Sequence, residues 1–191
     1  MLESVEGGVV VQKFVQGLVL ALAVLLGGIH AEAATVAMTP EGLVDLSKFD
    51  ELEKLFIVKV AENLLISSID DHYDELLARK GGSLNLKKVA ALSYAMLASE
   101  AKRVGLDTLA EIYGFKVKNF TDGIHGTADG KEIEDFDAKI ETVKQQYFDS
   151  VMQRHANKKG TTVPPEEMQD IARRMEKDIF ATAMEKVAGD N

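Results

Sequence analysis

Residues 49–80 read FDELEKLFIVKVAENLLISSIDDHYDELLARK, and the spacing of their apolar positions decides the fold class. Placed about 100° apart, Phe49, Leu52, Phe56 and Val60 share one helical face. Leu65, Ile69, Tyr73 and Leu76 share another, turned by roughly half a turn. Between the two, residues 56–66 are apolar almost all round, interrupted by Lys59, Glu62 and Asn63. A helix of that kind touches neighbours on several sides or kinks near residues 63–68. The spacing therefore predicts the most buried long helix of the domain. Asp45 or Ser47 is placed to cap it, and Gly81-Gly82 to stop it after Lys80.

Toward the C-terminus, Asn85 is placed to cap a second helix ending at Gly105. Its centre, Val89–Ser99 (VAALSYAMLAS), carries no charge. Four alanines there suit close approach of other helices, as in the middle of a bundle. Eleven residues rise only about 16 Å, too little for a transmembrane pass. A short helix follows from Asp107, closed by Gly114. Residues 115–120 (FKVKNF) alternate briefly, but a lone strand lacks a partner, so an extended loop is expected. Asn119–Lys131 (NFTDGIHGTADGK) reads as an irregular loop rich in Gly and Asp. Beyond it, Ile133, Phe136, Ile140, Val143, Tyr147 and Val151 form one helical stripe. Glu134, Asp135, Asp137, Glu141 and Lys144 fall off that stripe, and the helix is expected to end near Gly160. Pro164-Pro165-Glu166-Glu167 suits the first turn of a last helix, which ends at Gly189. Its stripe is Met168, Ile171, Met175 and Ile179. The fold class expected is all-α: a helical bundle of about four to five helices.

Toward the N-terminus, Lys13–Ala33 reads KFVQGLVLALAVLLGGIHAEA. From Phe14 to Ala31 it holds 18 residues without a formal charge. That is near the lower limit for a membrane-spanning helix and ample for the apolar part of a secretory signal. Ala31-Glu32-Ala33 fits the small-x-small cleavage pattern. Lys13 directly before the run places the N-terminus on the cytoplasmic side, although Glu3 and Glu6 make the leading region less basic than a signal's. Residues 1–33 therefore read as a signal peptide or an N-terminal membrane anchor, with a buried helix of a soluble or assembled protein as the third reading. Residues 34–46, broken by Met38-Thr39-Pro40-Glu41-Gly42, form a linker, and 47–189 the helical domain. The body is accordingly expected to be periplasmic or extracellular, or membrane-anchored with the C-terminal domain outside.

The chain has 191 residues, a net charge of −9, no cysteine and no tryptophan. An acidic chain without dense Lys/Arg clusters is a poor ligand for phosphate backbones, so nucleic acid is not expected as a partner. The absence of cysteine removes disulfides, thiolate metal sites and thiol nucleophiles together. No nucleophile elbow, phosphate loop, dinucleotide fingerprint or His-Glu-x-x-His occurs.

Two constellations remain. Asp122, Thr127, Asp129, Glu132 and Asp135 gather oxygens that a hard cation such as Ca²⁺ takes. However, an EF-hand register would put His125 and Phe136 where carboxylates are required. A solvated turn before an acidic helix start explains the same residues. Asp70, Asp71, His72, Asp74 and Glu75 lie within two helical turns and suit either an exposed acidic surface or a docking patch for a basic partner. A di-iron bundle is not indicated, because no Glu-x-x-His occurs. The function expected is a binding, scaffold or assembly protein, with a protein partner or self-assembly and membrane contact through the N-terminal segment. The alternatives are a divalent-cation module built on residues 122–135, and an envelope hydrolase without a local signature that uses His72 or His125 as base.

Overall fold

The computed structural model describes Leu46, residues 49–157 and residues 163–189. The expected signal or anchor (1–33) and nearly all of the linker lie outside these residues. The described part is all-helical, with six helices: α1 (Glu51–Asp71), α2 (Tyr73–Ala78), α3 (Ser83–Arg103), α4 (Asp107–His125), α5 (Gly130–Arg154) and α6 (Pro165–Gly189). Among the described residues, no helix is long and apolar enough to cross a membrane.

The cap of α1 is Asp50, neither Asp45 nor Ser47. Its carboxylate accepts from the Glu53 amide (3.0 Å), and the Glu53 carboxylate accepts from the Asp50 amide (3.0 Å). Two free amides of the first turn are thus satisfied reciprocally. The long helix expected to reach Lys80 breaks at His72 (φ −100°, ψ 10°), later than the expected kink. The break is slight, since the His72 amide still donates to the Ser68 carbonyl (3.2 Å) and the Leu76 amide to the His72 carbonyl (3.0 Å). Of the expected apolar faces, Phe49, Leu65 and Leu76 are buried, but Phe56 and Tyr73 are exposed. Leu55, Ile57, Val58 and Ala61 of α1 are buried as well. The more deeply buried helix is α3, which buries nine of 21 residues against seven of 21 for α1. Its alanine-rich centre permits contact on several sides.

Turn chemistry fixes two corners. Gly81 has φ +104°, and a Cβ there would lie 2.6 Å from the side-chain oxygen Oδ1 of Asn85. Asn85 does not cap α3, which starts at Ser83. From the first turn its amide nitrogen reaches back to the carbonyls of Leu76 (3.3 Å) and Lys80 (3.0 Å). Gly81→Ala is expected to lower stability by about 1–3 kcal/mol, because it meets both a disfavoured φ and a contact that Asn85 cannot yield without losing those bonds. An unchanged urea midpoint would contradict this. After α3, Gly105 has φ +84°. Its amide bonds the Lys102 carbonyl (3.1 Å) while the Leu106 amide bonds the Ala101 carbonyl (2.8 Å), a Schellman closure with Leu106 buried behind it.

The largest departure from the sequence reading is α4. It runs without interruption through Gly114 and over residues 115–120, expected as extended loop. Phe115, Lys116 and Asn119 point inward at helical spacing. Packing between α3 and α5 outweighs the weak helix propensity of one glycine. The expected irregular loop shrinks to residues 126–129 between α4 and α5. α5 ends at Arg154 rather than near Gly160, and α6 follows the expected bounds.

By contact the five long helices form a ring in the order α1, α6, α3, α4, α5 and back to α1, with α1 also touching α3. The α1–α5 seam is the thinnest of these contacts. Ile57, Leu97, Leu109, Ile112 and Ile179 fill the interior. A smaller cluster of Leu76, Val89, Ala183 and Val187 closes the end where α2 sits.

Candidate functional site

Burying a charge is costly unless it is paired and hydrogen-bonded, so the position that most needs explaining is Glu62, only 1% exposed in the middle of α1. Its carboxylate collects three donors from three other helices. Oε1 accepts from the Tyr94 hydroxyl of α3 (3.1 Å) and the Lys144 ammonium of α5 (2.7 Å). Oε2 accepts from the Tyr113 hydroxyl of α4 (3.1 Å). The helical register brings these groups together: Leu55, Val58 and Leu65 put the inward face of α1 opposite Tyr94 and Tyr113, both buried.

The cluster extends outward along α5. Lys144 also bonds Glu141 (2.9 Å), and Glu141 accepts from Lys116 of α4 (2.5 Å). Lys116, itself buried, bonds Asp137 (2.6 Å). Aromatic rings wall the inner side. Tyr94 stacks on Phe120 with centroids 5.8 Å apart and lies 5.7 Å from Tyr113, while the Lys116 ammonium stands 5.8 Å from the Tyr94 ring. Three carboxylates thus surround two ammonium groups, with Asp137 and Glu141 at the solvent rim.

The environment fixes the protonation states. Burial, then the negative charge of Glu62, pushes both tyrosine hydroxyls well above their ordinary range, so they remain neutral donors. Burial alone would lower the Lys144 ammonium, but Glu62 and Glu141 outweigh it and hold it above the ordinary lysine value. Burial would raise the Glu141 carboxyl, but hydrogen bonds from Lys116 and Lys144 outweigh it and hold it below the ordinary glutamate value of 4.5. Such a carboxyl contributes stability that is present above the unfolded value and is lost as pH falls through the folded one. The Lys144 contribution is present below the ordinary 10.5 and is lost as pH rises through the raised value. Thermal stability is therefore expected to decline on acidification below about pH 4.5, and Glu141→Gln should flatten that decline. An identical acid limb in the variant would contradict the assignment.

The residues singled out from sequence are placed elsewhere. Asp122 pairs with Lys118 one turn back, and its carbonyl accepts from the Thr127 amide (3.0 Å). Asp129 caps α5, accepting from the Glu132 amide (2.8 Å) and donating its own amide to the Glu132 carboxylate (3.0 Å). Asp135 is exposed on α5. Among the described residues, no group of three or more His, Asp or Glu is placed to hold a metal ion. Asp70, Asp71, Asp74 and Glu75 are exposed, and Glu75 pairs with Arg79. His72 is half-buried apart from them, its Nδ1 2.8 Å from the Ser68 carbonyl and its ring 4.9 Å from Phe180. His125 is exposed at the end of α4.

The fold and this cluster define a six-helix domain with an ionic, tyrosine-lined centre. The chain matches no family model, no curated protein and no solved structure with which it was compared.

Sequence reasoning missed every member of the central cluster. Glu62 stood out only as a break in an apolar run, Lys116 was assigned to a loop, and Asp137, Glu141 and Lys144 were assigned to a solvent face. One signal was present: a lone glutamate in the most apolar stretch of a helix needs a buried cation, and Lys144 is the lysine nearest the stripe of the facing helix.

Proposed function

We propose that the chain is an α-helical binding and assembly protein, carried outside the cytoplasm by its N-terminal apolar segment, whose domain docks a basic, amphipathic segment of a protein partner along the outward face of α1 and α2. One observation carries this reading. Ile66, Tyr73 and Leu77 are all exposed, Tyr73 at 49%. They lie seven and four residues apart, so they fall in one row across the slight break at His72. Asp70 stands within that row, and Asp71 and Asp74 flank it, all exposed. Leu84, also exposed, sits two residues past Gly82, whose Cβ position lies 3.8 Å from the Leu77 carbonyl.

Isolated exposed apolar residues are ordinary, but a row of them with acidic residues along its middle, here between exposed Lys59 and Lys80, suits an interaction surface. An amphipathic helix with apolar side chains at matching spacing and Lys or Arg beside them fits such a row. The charges steer the encounter and the apolar row supplies the affinity.

The test is a photo-crosslinking side chain placed at position 73, at position 77 or at exposed Lys177 of α6, in the full chain inside its own cells. The reading expects one adduct of the same mass at 73 and 77, none at 177, and loss of both on Asp70→Lys/Asp74→Lys. Equal labelling at all three positions, or none at 73 and 77, would refute it.

A further inference from the structure

The acid and the two phenols of the central cluster belong to α1, α3 and α4, but the cation that neutralises them arrives on α5. The four helices are not held alike. α5 and α6 are each 25 residues long. α6 buries seven apolar residues, whereas α5 buries three, Ile140, Phe148 and Val151. Apolar burial dominates helix docking, so α5 is the long helix with the least of that term. Its other ties are the ion pairs of Lys116 and Lys144, two of whose acidic partners, Asp137 and Glu141, stand at the solvent rim where salt screens them. To these are added the Asn119 amide on the Ile133 carbonyl (3.1 Å), Arg154 and His155 on Glu51, the Phe115 ring against Phe136 and the Lys59 ammonium over Phe148. α5 also carries its own N-terminal capping box and follows Gly126, whose φ is +65°. The amides of its first turn are thus capped from within the helix.

We propose that Glu62, Tyr94 and Tyr113 form a binding site for a primary ammonium group, that Lys144 fills it as an internal stand-in, and that α5 yields when a ligand ammonium takes the place of Lys144. The chemistry fits that class. A primary ammonium offers three N–H donors. The site offers a buried carboxylate that two neutral phenols orient by donating to it and that Lys144 shares with Glu141, and an aromatic wall of Tyr94 and Phe120 stands beside it for the attached carbon chain. A quaternary ammonium has no N–H to give and is too broad for the space one lysine tip occupies. The ligand is either a free alkylamine or the side chain of a lysine on another polypeptide.

The experiment is hydrogen exchange of the full wild-type chain in n-butylammonium chloride, in a lysine-bearing peptide, and in tetramethylammonium chloride at matched ionic strength. The proposal expects residues 136–154 to exchange about fivefold faster or more in a primary ammonium than in the quaternary salt, the low end of ordinary coupling between sites. Residues 89–103 of α3 should not change. A response to butylammonium alone assigns a free amine, and a response to both assigns a site that admits a lysine side chain. Equal exchange of α5 in all three solutions would overturn the proposal. In Lys144→Ala the site is open, and butylammonium should raise the melting temperature while tetramethylammonium does not. Loss of that difference in Lys144→Ala/Glu62→Gln is expected; its persistence would place the amine elsewhere and overturn the proposal. Should Lys144→Ala fail to fold, the wild-type exchange decides alone.

Discussion

Glu62→Ala is expected to destabilise the domain by about 3–5 kcal/mol, the cost of leaving a buried charge without its partner. The reason lies in what remains. Lys144, 11% exposed at its side chain, keeps Glu141 but loses its inner carboxylate. Tyr94 and Tyr113 each lose the acceptor of a buried hydroxyl, and each unsatisfied group carries its own desolvation cost. A domain of this size is stable by only about 5–15 kcal/mol, so the variant should unfold at much lower urea or lose its cooperative transition. A midpoint within error of wild type would mean that the cluster is solvated and contributes nothing.

Leu109→Ala is expected to cost about 2–5 kcal/mol. Leu109 has no exposed surface and lies in the first turns of α4, the helix packed most extensively on α3. Truncation removes transfer free energy and leaves a cavity between two helices that Ile112 and Leu97 also hold apart, so collapse is resisted. Leu77→Ala is the control. Leu77 is exposed on α2, and its loss should change stability by no more than about 0.5 kcal/mol. The contrast separates the packed interior from the row assigned to docking. Equal losses for the two leucines would contradict both assignments.

How far the sequence could be read depended on whether a residue's neighbours were local. α6 was legible from end to end, because Pro164-Pro165, two glutamates and a clean stripe of Met168, Ile171, Met175 and Ile179 all state the same helix, and all four are buried. α5 was legible in its stripe but not in its partners. Asp137, Glu141 and Lys144 look solvent-facing on a helical wheel, yet a second helix, α4, brings Lys116 beside them. α4 was misread because Gly114 and the alternation over 115–120 are local signals, whereas its helicity is set by contact with α3 and α5. The first expected face of α1 was misread at Phe56 for a related reason. With apolar residues all round residues 56–66, periodicity could not say which side meets the core. Phe56 and Ile66 lie outside, while Glu62 lies inside. The site thus escaped detection because its groups are specified by pairs on different helices, from 21 residues apart for Lys116 and Asp137 to 82 for Glu62 and Lys144.

The organising claim is that Glu62 and Lys144 act as one unit joining α5 to the rest of the domain. A double-mutant cycle of Glu62→Leu and Lys144→Met, read by urea denaturation, tests it most directly. Each single variant should lose several kcal/mol, while the double, with both charges replaced by apolar groups of similar volume, should recover the part owed to the unpaired charge, the Tyr94 and Tyr113 hydroxyls still lacking their acceptor. A coupling of about 2 kcal/mol or more is the predicted result. Losses that add to within about 0.5 kcal/mol would show two independent side chains and contradict the claim.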